Sequence, residues 1–445
     1  DNIFIPESSF LNITDTVALH PSLTGLEEVY NAGKVNVVQS VGYPNQNRSH
    51  FRSLDIWHSA SEADEFLDTG WIGRYFDTQF PGFPEGYPND DCPDPLALTI
   101  GSVVSETCQG TGGNFSLALV DPENLSALAT PANNELAAGC YGGRLAFLVN
   151  TIEQTNAYNE VIEAANGMGA NLSTKYDDTN ELAVKLRTVA RLIAGGLQTK
   201  IYIVSLGGFD THADQTVEGD STTGEHATLL KTLGDAICAF QDDLQLMGLE
   251  ERVLGMTYSE FGRRIRSNGS FSTDHGTAAP LVLFGSCVEA GILGDNPEIS
   301  TDVDHQEGVP MQYDFRSVYG SVLMDWFEVE EQQVRDLLYE DFTPLPLLRN
   351  CSAVATQDPL TERLDAQVYP NPFSHTFTLE MTTESEWLKI SLFDAIGSEL
   401  RVISNQVFPA GRHRVQIETH RLPAGAYYLR VQTRNGQRAL RVMKQ

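Results

Sequence analysis

The stretch 253–285 reads VLGMTYSEFGRRIRSNGSFSTDHGTAAPLVLFG and decides the fold class. Apolar runs open and close it, at 253–258 and 281–284. Short apolar runs that are bounded by turn residues are typical of buried strands in a parallel sheet. We therefore predict an α/β protein, and proteins of this class bind ligands in the loops beyond the ends of their strands.

The loop between these two runs carries the residue types of a metal site. Glu260 comes first, Arg263 and its neighbouring arginines follow, and Asp274 and His275 lie just before the second run. A carboxylate, a carboxylate–imidazole pair and several guanidiniums suit a divalent metal that faces an anionic group. The alternative is a surface loop in which Asp274 caps a turn and the arginines are solvated. Residue types alone leave both interpretations open.

The segment at 201–215 predicts a second polar loop at the same edge of the sheet. A strand at 201–206 (IYIVSL) runs into GGFDTHADQ, which puts Asp210 and His212 directly after it, and an amphipathic helix follows at 224–247. Strand, helix and strand in one short span form a βαβ unit, which is right-handed and has parallel strands. The loops at Asp210 and Glu260 are therefore expected at the same edge of the sheet.

Another strand, at 35–41, leads into a helix that begins near Asn47 or Ser49. Ser49 then lies at a helix N-terminus, where backbone N–H groups and the helix dipole favour an anion, and Arg48 and His50 flank it. A serine at this position is either a nucleophile or a plain N-cap, and the sequence allows both roles. We expect this loop to join the others at one edge.

Composition and charge narrow the class of protein. The 445 residues are enough for two or three domains of roughly 100–200 residues each. The net charge is −31, of which −35 falls on 1–366 and +4 on 367–445. We call 1–366 the body and 367–445 the tail. The acidity of the body argues against nucleic-acid binding and suits extracellular solubility or the binding of divalent cations. No apolar run of the sequence is long enough to span a membrane.

The six cysteines argue against a thiolate zinc site, because none of them forms a CxxC pair. An even number is compatible with disulfides in an exported protein. Cys92 and Cys108 are the closest pair in sequence and are the first candidates for a disulfide. Cys238 lies on the apolar side of the helix at 224–247, where a buried free thiol is an equal alternative.

The residue pattern of the tail differs from that of the body. After a linker at 353–366, short alternating strands are separated by turn signals such as Asn435-Gly436. This pattern predicts a small antiparallel, immunoglobulin-like β-sandwich over 367–445, after an α/β domain over 1–352.

The tail resembles the C-terminal sorting domain of type IX secretion substrates of the Bacteroidetes. The matching features are the YPNP segment at 369–372, the turn from Asp394 to Gly397, LPAGAYY at 422–428 and the basic end Lys444-Gln445. The resemblance implies recognition by the type IX secretion machinery and export across the outer membrane. It also implies a secreted or surface-attached protein, from which this domain is usually removed on attachment.

The body resembles domain-of-unknown-function family 1501. The shared stretches are LHPSLTGL, VVQSVGYPNQNRSHFRSLDIWHSA, GGFDTHADQ, TYSEFGRRI, TDHGTAAPLVLFG and DFRSVYGSVLMDW, which span most of 19–327. That family is grouped with the alkaline phosphatase-like superfamily. The resemblance implies a mostly parallel sheet flanked by helices, two divalent metals above it, and a Ser, Thr or modified Cys nucleophile.

The chain departs from that superfamily at two points. Ser259-Glu260 occurs where an Asp-His pair is expected at the strand end. The family also opens with a strand that ends in Gly-Gly-Asn-Asp-Gly, and this motif is absent, so the chain is either trimmed or lacks one strand and one ligand.

The resemblance implies a metal-dependent hydrolase of phosphate or sulfate esters that uses zinc, manganese or calcium. The alternative is an inactive structural or adhesive surface protein, and a weaker one is a metal-free binding protein. The expected metal ligands are Asp210, His212, Glu260, Asp274 and His275. The expected catalytic residues are Ser49, His50, Arg48 and Arg263.

Overall fold

The computed structural model describes residues 2–89, 91–123, 125, 140–349, 365–383, 386–393, 399–419, 422–423, 425–432 and 437–445, with 140–153 described as helix only. The α-helices are α1 (Thr24–Asn31), α2 (His50–Ser59), α3 (Trp71–Gln79), α4 (Cys140–Met168), α5 (Glu181–Ala194), α6 (Glu225–Leu246), α7 (Phe315–Asp325) and α8 (Glu331–Leu337). The strands of the body are β1 (Leu11–Asn12), β2 (Ala18–Leu19), β3 (Val35–Gly42), β4 (Ala97–Ile100), β5 (Ser116–Leu119), β6 (Ile201–Val204), β7 (Gly255–Met256), β8 (Ala279–Phe284), β9 (Gly291–Leu293) and β10 (Tyr313–Asp314). Those of the tail are β11 (Asp365–Tyr369), β12 (Thr376–Thr383), β13 (Glu386–Phe393), β14 (Glu399–Phe408), β15 (Gly411–Glu418), β16 (Gly425–Gln432) and β17 (Gln437–Lys444).

The body is a mixed α/β structure, which confirms the predicted class. One sheet has the order β10-β3-β8-β7 with β9 beside β3, and another has the order β5-β4-β6. The pairs that β3 makes with β9 and β10, and those that β4 makes with β5 and β6, are parallel.

The prediction that the runs at 253–258 and 281–284 are parallel strands is wrong. They form β7 and β8, and β8 pairs antiparallel with both β7 and β3. The connection from β7 to β8 contains no helix among its described residues. A parallel pair needs a long crossover, usually a helix, to carry the chain back to the starting edge. The loop at 257–278 instead turns round at one edge, so β8 runs in the opposite direction.

The predicted order of strand, helix and strand is observed as β6, α6 and β7, but the two strands lie in different sheets and do not form the expected parallel βαβ unit. Among the described residues β6 pairs only with β4, and β7 pairs only with β8. A cavity of about 2500 Å³ lies between them and is lined by Ile203 of β6 and Met256 of β7. The loops that follow both strands nevertheless open on the same side, because Asp210 and Glu260 contact opposite nitrogens of one imidazole.

Two apolar cores cover the sheets with helices. One is built from α2, α3 and α7, where Trp57 stacks on Phe315 at 4.3 Å and Trp71 stacks on Tyr319 at 4.2 Å between ring centroids. The other joins α1, α5 and α6 to the strands, with Leu98 and Leu192 fully buried. The first core anchors α2 through Trp57 and so fixes the start of that helix beside the sheet edge.

Helix α3 lies inside 61–95, a segment rich in Gly, Pro and Asp whose composition predicts a long loop. Its buried residues Trp71, Ile72, Tyr75 and Phe76 recur at helical spacing. Gly73 allows the helix to approach the next segment closely, because a Cβ there would lie 2.0 Å from the carbonyl oxygen of Gln109. The flanking Gly, Pro and Asp residues concealed this short periodic stretch.

The prediction of a disulfide between Cys92 and Cys108 is wrong, since both thiols are free. Cys108 is completely buried in the core under α3, whereas Cys92 is partly exposed. Burial raises the pKa of the Cys108 thiol to about 12, so the thiol stays protonated. Cys238 is a buried free thiol, as the alternative interpretation held. Cys287 is disulfide-bonded.

The tail forms the predicted antiparallel β structure. The strand orders are β11-β12-β15 and β14-β13-β16-β17, and all pairs within them are antiparallel. Both sheets contribute to one core, in which Leu379 and Leu429 are fully buried. Lys444 folds back so that its ammonium donates to the carbonyl oxygens of Thr419 and Leu422. The predicted linker at 353–366 ends earlier than expected, because β11 begins at Asp365. The predicted turn at 394–397 lies outside the described residues.

Acidification is expected to destabilise the fold through His226. Burial, with smaller effects of His20 and Arg263, lowers the pKa of His226 to about 4. A histidine in the unfolded chain titrates near pH 6.5. Between pH 6.5 and pH 4 the unfolded chain therefore binds a proton that folded His226 does not, and the free energy of unfolding decreases as the pH falls through this range. The loss at pH 4.5 is about 2 to 3 kcal/mol. Urea unfolding at pH 7.5 and 4.5 measures it, and His226→Gln should remove this part of the pH dependence, whereas His305→Gln, at an exposed site, should not.

Candidate functional site

Four loop segments meet at one edge of the body. The loop after β3 carries Ser49 and leads into α2 at His50, the loop after β6 carries Asp210, the loop after β7 carries Glu260, and the returning loop carries His275. The turn after β6 requires a glycine, because Gly208 has a φ of +99°, in the left-handed region that favours glycine. Three of these loops bring histidines to a single carboxylate.

Asp210 is the centre of the cluster. Its Oδ1 lies 2.9 Å from Nε2 of His275 and 3.0 Å from Nε2 of His212, and its Oδ2 lies 3.1 Å from Nε2 of His50. The Nε2 atoms of His212 and His275 are themselves 2.9 Å apart. Ligand atoms of His50, Asp210 and His275 all lie within 4.8 Å of one another, a spacing at which they could share one metal ion.

The opposite nitrogen of each histidine faces an acceptor. Nδ1 of His275 lies 2.8 Å from the carbonyl oxygen of Arg48, Nδ1 of His50 lies 2.6 Å from Oε1 of Glu260, and Nδ1 of His212 lies 3.1 Å from Oδ1 of Asp274. Asp210 faces the Nε2 atoms and is itself an acceptor, so each imidazole lies between two groups that only accept. If a cation binds at the three Nε2 atoms, each neutral ring carries its proton on Nδ1 and directs its Nε2 lone pair toward the cation.

This arrangement fits a divalent cation. Lone pairs of His212, His275 and Asp210 that converge within 3.0 Å repel one another unless a cation or a proton lies between them. Ligand atoms that bind a cation at about 2.1 Å are separated from their neighbours by about 3 Å. Histidines that donate through one nitrogen to a carboxylate or carbonyl and bind metal through the other are the usual outer arrangement of metal sites. The residues present therefore fit the expected metal.

The structure brings together all five expected ligands, but only three of them face the common centre, and the other two lie behind histidine rings. Asp210, His212 and His275 form the inner cluster, together with His50, which the sequence analysis assigned to catalysis. Glu260 and Asp274 instead lie behind His50 and His212 and orient their rings.

Two arginines hold the carboxylates of the cluster. Arg263 donates to Oδ1 of Asp210 at 2.9 Å, to the carbonyl oxygen of Thr211 at 2.6 Å and to Thr273. Arg264 donates to Oδ2 of Asp274 at 3.0 Å. Burial alone would raise the pKa of Asp210, but hydrogen bonds from Arg263 and His275 and the nearby His212 and His50 lower it to about 2. Asp210 is therefore ionised at neutral pH.

Ser49 and Arg48 lie next to the inner cluster in sequence. Ser49 is the N-cap residue of α2 and is exposed, yet its side chain makes no capping bond. The backbone N–H of Ser49 donates to Oδ1 of Asn47 at 2.8 Å, and no acceptor or donor for its hydroxyl occurs in the described part of the chain. The plain N-cap role is thus not the one this side chain adopts, and the hydroxyl is available to a ligand.

Sequence reasoning missed three residues that shape the site. The ring of Phe261 packs on those of His50 and His275, with centroid distances of 5.0 and 4.5 Å. Nε1 of Trp57 donates to the carbonyl oxygen of Glu260 at 3.0 Å, and Asn268 donates to Asp274 and to the carbonyl oxygen of His212. Phe261 could have been found from the sequence, because it directly follows Glu260. No local feature of the sequence points to Trp57.

Glu260→Gln is expected to weaken binding of a divalent metal by about 10- to 100-fold. The neutral amide weakens the hydrogen bond that orients His50 and makes its Nε2 less basic. Competition with a chromophoric chelator measures the dissociation constant. Ser259→Ala is the matched control, because it removes only a hydroxyl 3.1 Å from the other oxygen of Glu260, and its effect should stay within about threefold. An affinity unchanged by Glu260→Gln would show that His50 is not a ligand.

Two parts of the chain match known family models. Residues 154–337 match a family described as a protein of unknown function (DUF1501), and this match contains the loops of Asp210, Glu260 and His275 but not that of Ser49. Residues 367–445 match the secretion system C-terminal sorting domain. A search among curated proteins found no match.

The sorting-domain match makes this a secreted or cell-surface protein and links it to the type IX secretion machinery. Within the described residues, every helix is too short or too polar to cross a membrane.

Proposed function

We propose that this protein is a secreted or surface-attached, metal-dependent hydrolase of phosphate or sulfate esters with an alkaline phosphatase-like fold. The observation that carries the proposal is the convergence of three imidazoles on Asp210, each with its Nδ1 held by an acceptor. Imidazole and carboxylate donors suit zinc or manganese, whereas calcium prefers oxygen ligands alone.

Each group of residues has a distinct part in this proposal. Asp210, His50, His212 and His275 would hold the cation, and Glu260 and Asp274 keep two of the rings in the ligating orientation. A bound divalent cation acts as a Lewis acid and stabilises the attacking and leaving oxygens of an ester. Ser49 offers an unbonded hydroxyl at the N-terminus of α2, where backbone N–H groups favour an oxyanion.

Ser49→Ala is expected to lower kcat for ester hydrolysis by at least about 1000-fold while metal content stays unchanged, because removal of a nucleophile abolishes the chemical step. The full chain is loaded with zinc or manganese, and hydrolysis of p-nitrophenyl phosphate and p-nitrophenyl sulfate is followed. Ser300→Ala, in an exposed loop, is the control and should retain the wild-type rate.

The outcomes separate the proposal from its rival. Hydrolysis that stops when a chelator removes the metal, and that Ser49→Ala abolishes, supports the hydrolase. Metal binding without hydrolysis of either ester class would instead support a surface protein with a structural or adhesive role.

A further inference from the structure

The tail rests on the body through one face of its four-stranded sheet. Phe393 of β13, Tyr428 of β16 and Arg441 of β17 are direct cross-strand partners, so they form a row across the sheet. Arg430 lies two residues after Tyr428 on the same side, and its guanidinium lies over the ring of Phe393, 4.3 Å from the centroid. We call these four residues the covered face. The residues that alternate with them, such as Leu429, point the other way into the core of the tail.

Helix α4 of the body lies on the covered face with one stripe of its side chains. Ala164 and Met168 of α4 are buried in one small apolar cluster with Phe393 and Tyr428. Glu160 precedes Ala164 by one helical turn and so belongs to the same stripe. The covered face therefore accommodates an amphipathic helix, a recurring form of recognition between proteins.

The arginines of the covered face meet negative groups of α4. NH1 of Arg430 donates to the carbonyl oxygen of Met168 at 3.5 Å, and NH2 of Arg441 lies 3.7 Å from Oε2 of Glu160. Met168 is the last residue of α4, and the last carbonyl groups of a helix form the negative end of its dipole. The covered face thus suits a helix that carries an acidic residue on its apolar stripe.

The contact with α4 is nevertheless a poor fit. The hydroxyl of Tyr428 is buried, and no donor or acceptor reaches it within the described ranges. The side chains of Arg441 and Glu160 are 45% and 58% exposed, and ion pairs at such exposure contribute little to stability. The hydrogen bond of Arg430 is longer than the usual N–H···O distance. Small contacts between domains of one chain permit relative motion, so this contact is suited to release.

We propose that the covered face is the surface through which the tail binds a helix of the type IX secretion machinery, and that α4 masks this face until the tail undocks from the body. The partner helix carries an acidic residue beside small or apolar ones, as α4 does, and supplies the hydrogen-bond partner that the hydroxyl of Tyr428 lacks. Aromatic and arginine side chains dominate the energetics of protein–protein binding, and here they lie together on the outer side of a sheet, where polar residues are usual. This role does not depend on the metal site.

Export of the full chain, measured by immunoblot in a bacterium whose type IX machinery exports the wild-type chain, tests this role. Arg430→Glu should reduce export at least about tenfold, because it sets like charges against each other in the complex. Tyr428→Phe removes only the hydroxyl and should reduce export about 2- to 10-fold. Arg401→Glu makes the same charge change on an exposed residue of β14 in the same sheet, and it is the matched control. Its export should stay within about twofold of wild type.

Substitutions on α4 separate recognition from masking. Met168→Lys sets a positive charge against Arg430, and Glu160→Lys, at an exposed position, does the same against Arg441. Both leave the tail itself unchanged. Small-angle X-ray scattering should therefore give a larger radius of gyration than for the wild-type chain, and export should be at least as efficient as that of wild type.

The proposal is overturned if Arg430→Glu is exported like Arg401→Glu. Where the thermal midpoint shows that Arg430→Glu disturbs folding, Tyr428→Phe decides in the same way. It is also overturned if Glu160→Lys loses export as the tail variants do, because α4 would then be required on the covered face and would not be a mask. A radius of gyration unchanged in both α4 variants would show that α4 does not hold the tail, which contradicts the masking.

Discussion

Replacing His212 and His275 together by alanine is expected to weaken binding of a divalent cation by at least about 1000-fold, since each would be a direct ligand in the proposed site and even an outer residue of a metal site contributes about 10- to 100-fold. The Nε2 atoms of both rings lie within 3.0 Å of Oδ1 of Asp210. Their removal leaves His50 and Asp210, and two ligands do not hold zinc or manganese at micromolar concentrations of free metal.

Metal content is measured by mass spectrometry on protein purified without a chelator, and affinity by competition with a chromophoric chelator. The matched control is His305→Ala with His375→Ala, which removes two exposed histidines and should leave both quantities unchanged. Wild-type protein that contains no metal, or a double variant that retains it, would rule out the metal site.

Asp243→Ala is expected to lower the free energy of unfolding by about 3 to 5 kcal/mol, the largest stability effect that we predict. Asp243 on α6 is fully buried. Its carboxylate accepts hydrogen bonds from the backbone N–H groups of Leu172 at 2.6 Å and Ser173 at 2.9 Å, from Asn171 at 2.7 Å and from Tyr176 at 3.1 Å. Alanine leaves these four partly buried donors without their acceptor, and each donor that loses its acceptor in a buried site costs about 1 to 3 kcal/mol.

Urea unfolding of the full chain, followed by a probe of the body, measures the effect. Asp243→Asn keeps an acceptor for the two backbone donors and should cost less than the alanine variant. Asp235→Ala on the same helix removes only an exposed pair with Lys231 and should stay within about 0.5 kcal/mol. If Asp243→Ala is no more destabilising than Asp235→Ala, the buried carboxylate does not hold the segment 171–176 against α6.

Much of the fold was predictable because burial leaves a local pattern. The predicted helix at 224–247 is observed as α6, Glu225–Leu246, and the predicted strand at 35–41 as β3, Val35–Gly42. Helix α3 was missed because it has only nine residues between Gly- and Pro-rich segments. The direction of β8 was wrong because periodicity reports which face of a strand is buried and carries no information about the neighbouring strand.

The candidate site was predictable in its residue types and in its place. Strand ends followed by Asp210 and Glu260 put both side chains at one edge, and the structure brings them to the two nitrogens of His50. Which of these residues face the centre of the site and which lie behind them was not predictable. Whether a histidine points Nε2 or Nδ1 at Asp210 depends on the acceptor behind it, and those acceptors come from segments up to 227 residues away in sequence.

The sequence by itself determined the α/β class of the body, the antiparallel β tail with its sorting signal, and the loops that carry the polar residues. Each of these is recorded in local periodicity, turn residues or a contiguous motif. Only the tertiary structure decided that β8 runs antiparallel, that Cys108 is buried as a free thiol, that Glu260 and Asp274 lie behind the histidines, and that Arg263 is bound to Asp210. These depend on which distant side chains meet, and a hydrogen bond or a packed contact between distant segments leaves no periodic trace in either of them.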